Sequence, residues 1–338
     1  EALSKAHPGF FSITGRDRSD SVWTVAYRVD DGPVAYYVYH RGERKADFLF
    51  LNQPAIQKYR LAPMTPIVIP ARDGLKLVSY LTVPPGVVPK HLPTVLLVHG
   101  GPWARDHWGI DPAVQWLANR GYAVLQVNFR GSTGFGKKFL NAANGQWGIG
   151  SMQHDLTDAV QWAIKNDIAD PRRVAVFGGS YGGYATLAGL TFTPELYACG
   201  VDLVGPSNLR TLLQSIPPYW ALEKYNFTLR IGNVEEDDEL NRKLSPLFHV
   251  DKIRAPLLIG QGANDPRVNI RESDQIVQAM RARNLPVIYA VCPDEGHGFM
   301  RPENRLDFFG RAEEFLSKYL GGRHEAWKEV KGSSLELR

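Results

Sequence analysis

One hexapeptide, Gly178-Gly179-Ser180-Tyr181-Gly182-Gly183, restricts the folds open to this chain more than any other feature of its 338 residues. It follows Arg173-Val174-Ala175-Val176-Phe177, a β-branched apolar run, and leads into Tyr184-Ala185-Thr186-Leu187-Ala188, which suits a helix. A Gly-x-Ser-x-Gly between strand and helix makes a sharp turn in which side chains at Gly178 and Gly182 would clash. That turn lifts the Ser180 hydroxyl above the carboxyl edge of a sheet, where open α/β sheets place their sites. A serine hydroxyl is a weak nucleophile until a base takes its proton. The elbow therefore calls for a histidine on a later loop, with a carboxylate between the two in chain order.

Both are present. Pro256-Leu257-Leu258-Ile259 reads as a strand whose polar exit loop, Gly260-Gln261-Gly262-Ala263-Asn264-Asp265, brings Asp265 beside the elbow. The next strand, Val287 to Val291, exits through Asp294-Glu295-Gly296-His297-Gly298, where flanking glycines leave the imidazole room. His297 is the expected general base and Asp265 the residue that orients it. Asp294 and Glu295 are nearer in sequence, but they share the histidine's own loop. The tetrahedral intermediate of acyl transfer needs aimed N–H donors. The amide of Tyr181, at a helix N-terminus, is one candidate for that oxyanion hole. The amide of Gly101, in His99-Gly100-Gly101-Pro102-Trp103 after an earlier strand, is the other, and His99 takes a structural role holding that loop.

Around these residues, short buried runs (94–98, 123–127, 174–177, 199–204, 256–259, 287–291) alternate with helical segments (112–119, 152–166, 184–192, 270–282, 304–319). Right-handed crossovers turn such alternation into a doubly wound, mostly parallel sheet, the α/β-hydrolase fold. Residues 21–51 differ. Three β-rich runs separated by turn signals predict an antiparallel meander, and the pattern changes after Pro63, which sets an expected boundary near residue 62. The chain thus reads as 1–62, a β-meander, 63–322, the catalytic α/β domain, and 323–338, a polar tail able to pack or fray.

Composition removes several alternatives. With 39 basic and 35 acidic residues the formal charge is only +4, and no like-charge run marks a nucleic-acid or membrane surface. No stretch approaches the roughly 18 apolar residues of a membrane span. The start, Glu-Ala-Leu-Ser-Lys, is neither a signal peptide nor an initiator methionine, which reads as a piece of something longer. Two cysteines, Cys199 and Cys292, form neither a disulfide framework nor a zinc set, and they leave the compartment open. No metal or cofactor is called for, since hydroxyl, imidazole and carboxylate suffice. The glycine-rich Arg130-Gly131-Ser132-Thr133-Gly134-Phe135-Gly136 lacks the Gly-Lys-Ser ending of a phosphate cradle and reads as a structural loop.

Five ordered motifs are His99-Gly100-Gly101-Pro102-Trp103, Asn128 to Gly136, Gly178 to Tyr184, Asp265-Pro266-Arg267-Val268 and Glu295-Gly296-His297-Gly298-Phe299. Together they resemble the prolyl oligopeptidase family, nearest to its acylaminoacyl-peptidase branch, over roughly residues 62 to 322. The resemblance implies a serine peptidase with Ser180, Asp265 and His297 as its triad. It also implies a β-propeller ahead of the hydrolase domain, of which 21–51 looks like the last part, less than one blade. With so little of a lid, the open face is expected to favour self-association into a homo-oligomer. In relatives the primary pocket is lined by the helix after the sixth strand and by a residue just past the acid. That points to Leu209 and Leu212, on one helical stripe with Leu213 and Ile216, and to Val268.

The expected function is hydrolysis of peptide or acyl-amino-acid bonds in short peptides through an acyl-enzyme. A carboxylesterase on small esters is the runner-up, because one triad serves both acyl groups. A noncatalytic binding domain of the same fold would show a damaged triad or elbow, and neither is visible.

Overall fold

The computed structural model describes residues 1–338. After a short helix, Ala2–Ala6, four strands pair antiparallel in chain order: β1 (Phe10–Arg16), β2 (Val22–Arg28), β3 (Ala35–His40) and β4 (Lys45–Leu51). Three strands were expected here, and the additional one is β1. It is mostly exposed, and its register against β2 shifts at Gly15, so it lacks the alternation that marks a half-buried strand. The sheet therefore has four strands, the number found in one propeller blade. Its small core comprises Leu3, Val25, Tyr27, Ala35 and Tyr39, and the Tyr27 hydroxyl donates to the carbonyl of Leu3 at 2.8 Å.

Past a 3-10 turn at Pro54–Lys58 the chain enters a second sheet. Its strands are β5 (Met64–Pro70), β6 (Lys76–Thr82), β7 (Leu92–Val98), β8 (Ala123–Val127), β9 (Ala169–Gly179), β10 (Cys199–Leu203), β11 (Leu257–Gly262), β12 (Val287–Cys292) and β13 (Glu336–Leu337). The spatial order is β13-β12-β11-β10-β9-β7-β8-β6-β5. β8, β7, β9, β10, β11 and β12 run parallel, while β5, β6 and β13 pair antiparallel at the two ends.

Strands apolar on both faces need cover on both, which the crossover helices supply. One face packs Ser151–Lys165, Tyr181–Phe192 and Arg271–Arg281 through Met152, Leu156, Leu187, Ile276 and Met280. The other packs Pro112–Asn119 and Pro302–Leu320 through Val114, Leu117, Phe308, Phe315 and Leu316. Polar contacts join the small sheet to the large one: Ile110 N–H donates to Val29, Met64 N–H to Asp30, and Gln115 bridges Asp30 and Ala62. No helix is long and apolar enough to cross a membrane.

The helices Ala221–Ile231 and Asp238–Leu244 lie between β10 and β11; Ala221–Ile231 buries only Ile231 fully and leaves Leu222, Tyr225 and Leu229 exposed. The tail packs. Trp327 Nε1 donates to Asp307 at 2.8 Å, the Arg311 guanidinium lies 4.0 Å from the Trp327 ring centroid, and β13 pairs with β12.

Cys199 on β10 and Cys292 on β12 are separated by β11, and both are buried. Two strand spacings amount to about 9.6 Å, beyond the roughly 7 Å that a disulfide spans between Cα atoms. Titration of the denatured, unreduced monomer should find two free thiols per chain, and finding none would refute this placement.

Candidate active site

The elbow forms as the glycines require. Ser180 sits at φ 58°, in the left-handed region, between the end of β9 and the helix Tyr181–Phe192. A Cβ at Gly182 would lie 2.1 Å from the Val98 carbonyl oxygen, and one at Gly178 2.3 Å from the Gly182 backbone. Strand, helix and the neighbouring β7 thus meet backbone to backbone, and no L side chain fits between them. Ser180 N–H donates to Leu203 at 2.8 Å, which ties the turn to β10.

Asp265 and His297 are brought together by stitching of the two exit loops. Ala263 N–H donates to Cys292, Asn264 N–H to Glu295 at 2.9 Å, and the Asn264 side chain to Pro293 at 2.7 Å. A Cβ on Gly262 would meet the Gly296 carbonyl oxygen at 2.1 Å, so the loops touch only because that position is glycine. His297 Nδ1 then bonds Asp265 Oδ2 at 2.7 Å, while Asp265 Oδ1 accepts from the N–H groups of Arg267 and Val268 at 2.8 and 2.9 Å. An ionised carboxylate only accepts, so the ring proton sits on Nδ1 and Nε2 carries the free lone pair. Glu295 is committed elsewhere. Its carboxylate accepts from Met300 N–H, Arg301 N–H and the Asn304 side chain, and Asp294 bonds Arg301, Asn304 and Ser334.

Ser180, Tyr181, Gly101 and His297 line one cleft of about 460 Å³, and no direct hydrogen bond links Ser180 to His297. Tyr181 is the first helical residue, so its N–H has no intrahelical acceptor. The N–H of Gly101 also finds none among the backbone carbonyls. His99 accounts for how that amide is held. It stacks on Phe129 with ring centroids 4.5 Å apart, and its Nδ1–H donates to the Gly100 carbonyl at 2.8 Å. Burial pushes this imidazole down to about 4, and its Nε2 lies 2.9 Å from the hydroxyl of Ser132, which itself donates to the Phe129 carbonyl at 2.7 Å. A trans peptide points its C=O and N–H in opposite directions, so anchoring the Gly100 carbonyl turns the Gly101 N–H away from His99.

The cleft wall contains Leu212 and Val268 but not Leu209, which is fully buried in the core. Leu209 opens the helix Leu209–Ser215 with its N–H on Ser245 Oγ at 2.9 Å. Its side chain packs below the wall, which Leu212 and Ile216 form further along. The remaining wall comes from residues that sequence reading missed: Trp147, Trp220, Glu223 and Phe227, together with Pro206 and Arg267. Trp103 and Phe227 approach to 5.1 Å, and Trp147 meets the Tyr181 ring edge-on at 4.8 Å. The i, i+4 spacing of Glu223 and Phe227 was the one available signal, and it required knowing that 221–231 is a helix. A wider groove of about 900 Å³, between Pro302–Leu320 and the tail, includes neither Ser180 nor His297. No group of three or more His, Cys, Asp or Glu residues is arranged to hold a metal ion.

Sheet order, elbow and loop placement define an α/β hydrolase with a candidate Ser-His-Asp centre. The prolyl oligopeptidase family profile matches residues 108–323, and the chain belongs to that family. Dipeptidyl aminopeptidase BIII of Pseudoxanthomonas mexicana is 52% identical over 100% of this chain and 50% of its own length. Dipeptidyl peptidase family member 6 of Caenorhabditis elegans is 44% identical over 95% of this chain and 46% of its own. The chain thus spans about half the length of these curated relatives. The solved acylaminoacyl peptidase of Pyrococcus horikoshii superposes with a TM-score of 0.83 at 23% identity, covering 96% of this chain and 52% of that one, a likeness of fold.

Asp202, at the end of β10, lies under the elbow: a Cβ on Gly183 would sit 2.2 Å from its Oδ1. Oδ1 accepts from Gly205 N–H at 2.9 Å, Oδ2 has no partner, and burial pushes the carboxyl up to about 7. A folded value above the unfolded one means that the stability held by the protonated form is full below about pH 4 and is lost as pH rises through about 7. Asp202→Asn, always neutral, should therefore gain stability over the parent as pH rises from about 5 to 8, by an amount on the order of a few kcal/mol. Urea midpoints at the two pH values measure it, and a gap that stays constant or shrinks would contradict the assignment.

Proposed function

We propose that this chain carries the catalytic machinery of a serine peptidase acting on short peptides, with Ser180 as nucleophile, His297 as general base and Asp265 orienting the imidazole. The observation that carries this reading is the 2.7 Å bond between His297 Nδ1 and Asp265, beside a cleft that Ser180 shares. His297 Nε2 takes the Ser180 proton as Oγ attacks the scissile carbonyl, and the Tyr181 and Gly101 N–H groups hold the oxyanion. His297 then passes the proton to the leaving amine, and water releases the acyl group by the same route in reverse. The Ser180–His297 hydrogen bond closes in the substrate complex, where catalytic bonds commonly tighten.

The aromatic wall, with Leu212 and Val268, suits an apolar side chain next to the cleaved bond. The names of the two curated relatives favour release of dipeptides from a free N-terminus as the mode of action, with acylated peptides as the second class. Small activated esters should react at the same serine.

Ser180→Ala should abolish labelling by a fluorophosphonate probe and lower turnover of dipeptidyl anilides by up to about 10⁶-fold, as loss of the nucleophile does in other triads. Full labelling of the variant would remove Ser180 from its role.

A further inference from the structure

Glu272 is 1% exposed and has no lysine or arginine paired with it, yet every group around its carboxylate donates. Oε2 accepts from Ser207 N–H at 3.0 Å, Asn208 N–H at 2.9 Å and Gln275 Nε2 at 2.9 Å, and Oε1 accepts from the Thr211 hydroxyl. A buried carboxylate without a cation is costly unless hydrogen bonds replace its hydration; here they offset part of that cost, and burial still holds the carboxyl above its ordinary value. Ser207 and Asn208 lead directly into Leu209–Ser215, the helix that carries Leu212, with Ile216 just beyond it, and Thr211 is that helix's first turn. Ser207 Oγ closes the contact from the other side by donating to the Glu272 carbonyl at 2.6 Å.

The next residue grips the opposite wall. Ser273 Oγ donates to Gln261 Oε1 at 2.8 Å, Gln261 Nε2 donates to the Val268 carbonyl at 3.2 Å, and Val268 N–H donates to Asp265 Oδ1 at 2.9 Å. Ser273 and Gln261 are both fully buried. Two successive residues in the first turn of Arg271–Arg281 therefore hold both apolar walls of the cleft, and one of those chains ends on the carboxylate behind His297.

We propose that Glu272 is a positioning residue for substrate selection, fixing the wall of Leu212 and Ile216 at a set distance from Val268 and so setting which side chain fits next to the cleaved bond. This deepens the peptidase assignment and rests on the cleft being the substrate site. Glu272→Met keeps the length of the side chain but removes both accepting oxygens, leaving the buried Ser207 and Asn208 N–H groups unpaired and releasing the helix entry. The reacting atoms are held by the elbow and the stitched loops, so the loss falls on large side chains, which touch both walls, and spares small ones.

The test uses the 338-residue chain and a series of peptidyl anilides with Ala, Leu or Phe before the cleaved bond. In Glu272→Met the ratio of kcat/KM for Phe over Ala should fall about 10- to 100-fold, mainly through KM, as wall displacements near 1 Å can produce. Fluorophosphonate labelling of Ser180 should stay within about threefold of the parent, because the triad is untouched. Thr211→Val, nearly isosteric and missing one donor, should shift the ratio in the same direction by less, and it decides the matter if Glu272→Met does not fold. A purely structural role would lower Phe and Ala in parallel, and that result, or an unchanged ratio in the folded variants, overturns the proposal. A parent chain that takes no label would overturn the assignment of Ser180 instead.

Discussion

The contact between the Gly182 backbone and the Val98 carbonyl is the constraint on which the rest of this structure depends. Strand β9 must stop, turn at Ser180 and start a helix within a residue, in the narrow space between β7 and β10. The turn closes because the positions that would fill that space lack side chains. The strained φ of Ser180 is over-determined by the hydrogen bond to Leu203, the contact with β7 and the burial of the helix that follows. Once that serine is placed, the useful positions for a base and an acid are the exits of the strands on the same side. The glycine at 262 performs for those loops what Gly182 performs for the elbow.

Four buried carboxylates illustrate how differently one interior compensates charge. Asp155 has a full counter-ion, taking the backbone N–H, Nε and Nη2 of Arg130, whose Nη1 also reaches Asp73. Asp265 has an imidazole and two N–H groups. Glu272 has only N–H and O–H donors, and Asp202 is left with one unpartnered oxygen. The order runs from a locked ion pair that anchors a loop to a group that favours its neutral form, and each placement follows from what the neighbouring backbone presents.

Much of this was legible in the sequence because the signals were local. The strands β7 to β12, the helix Pro112–Asn119 and the three candidate catalytic residues lie where alternating apolar runs and glycine-flanked exits predicted. The order of strand ends favoured Asp265 over Glu295, and in the structure Asp265 bonds His297 while Glu295 is occupied by its own loop. The cleft wall was less readable. Helical periodicity put Leu209 and Leu212 on one stripe, yet a stripe does not say which turn faces the cleft and which the core. Trp147, Trp220 and Phe227 come from segments whose pattern does not single them out, so only the tertiary fold brings them to Ser180. β1 escaped because its hydrogen-bonding partner, rather than its own pattern, makes it a strand.

The docked tail has a consequence for how this molecule behaves in company. A nine-stranded sheet exposes two rows of free backbone donors and acceptors, each a template on which another chain could add a strand. On one border β5 carries Pro66 and Pro70, which offer no N–H. On the other, Glu336 and Leu337 pair with Val291 and Ala290, and Arg338 N–H donates to Tyr289 at 2.9 Å. A two-residue strand is too short to nucleate further pairing, and its charged neighbours discourage it. The tail thus covers a border that would otherwise be open to intermolecular β-addition, in the same sheet whose interior strands carry the candidate site.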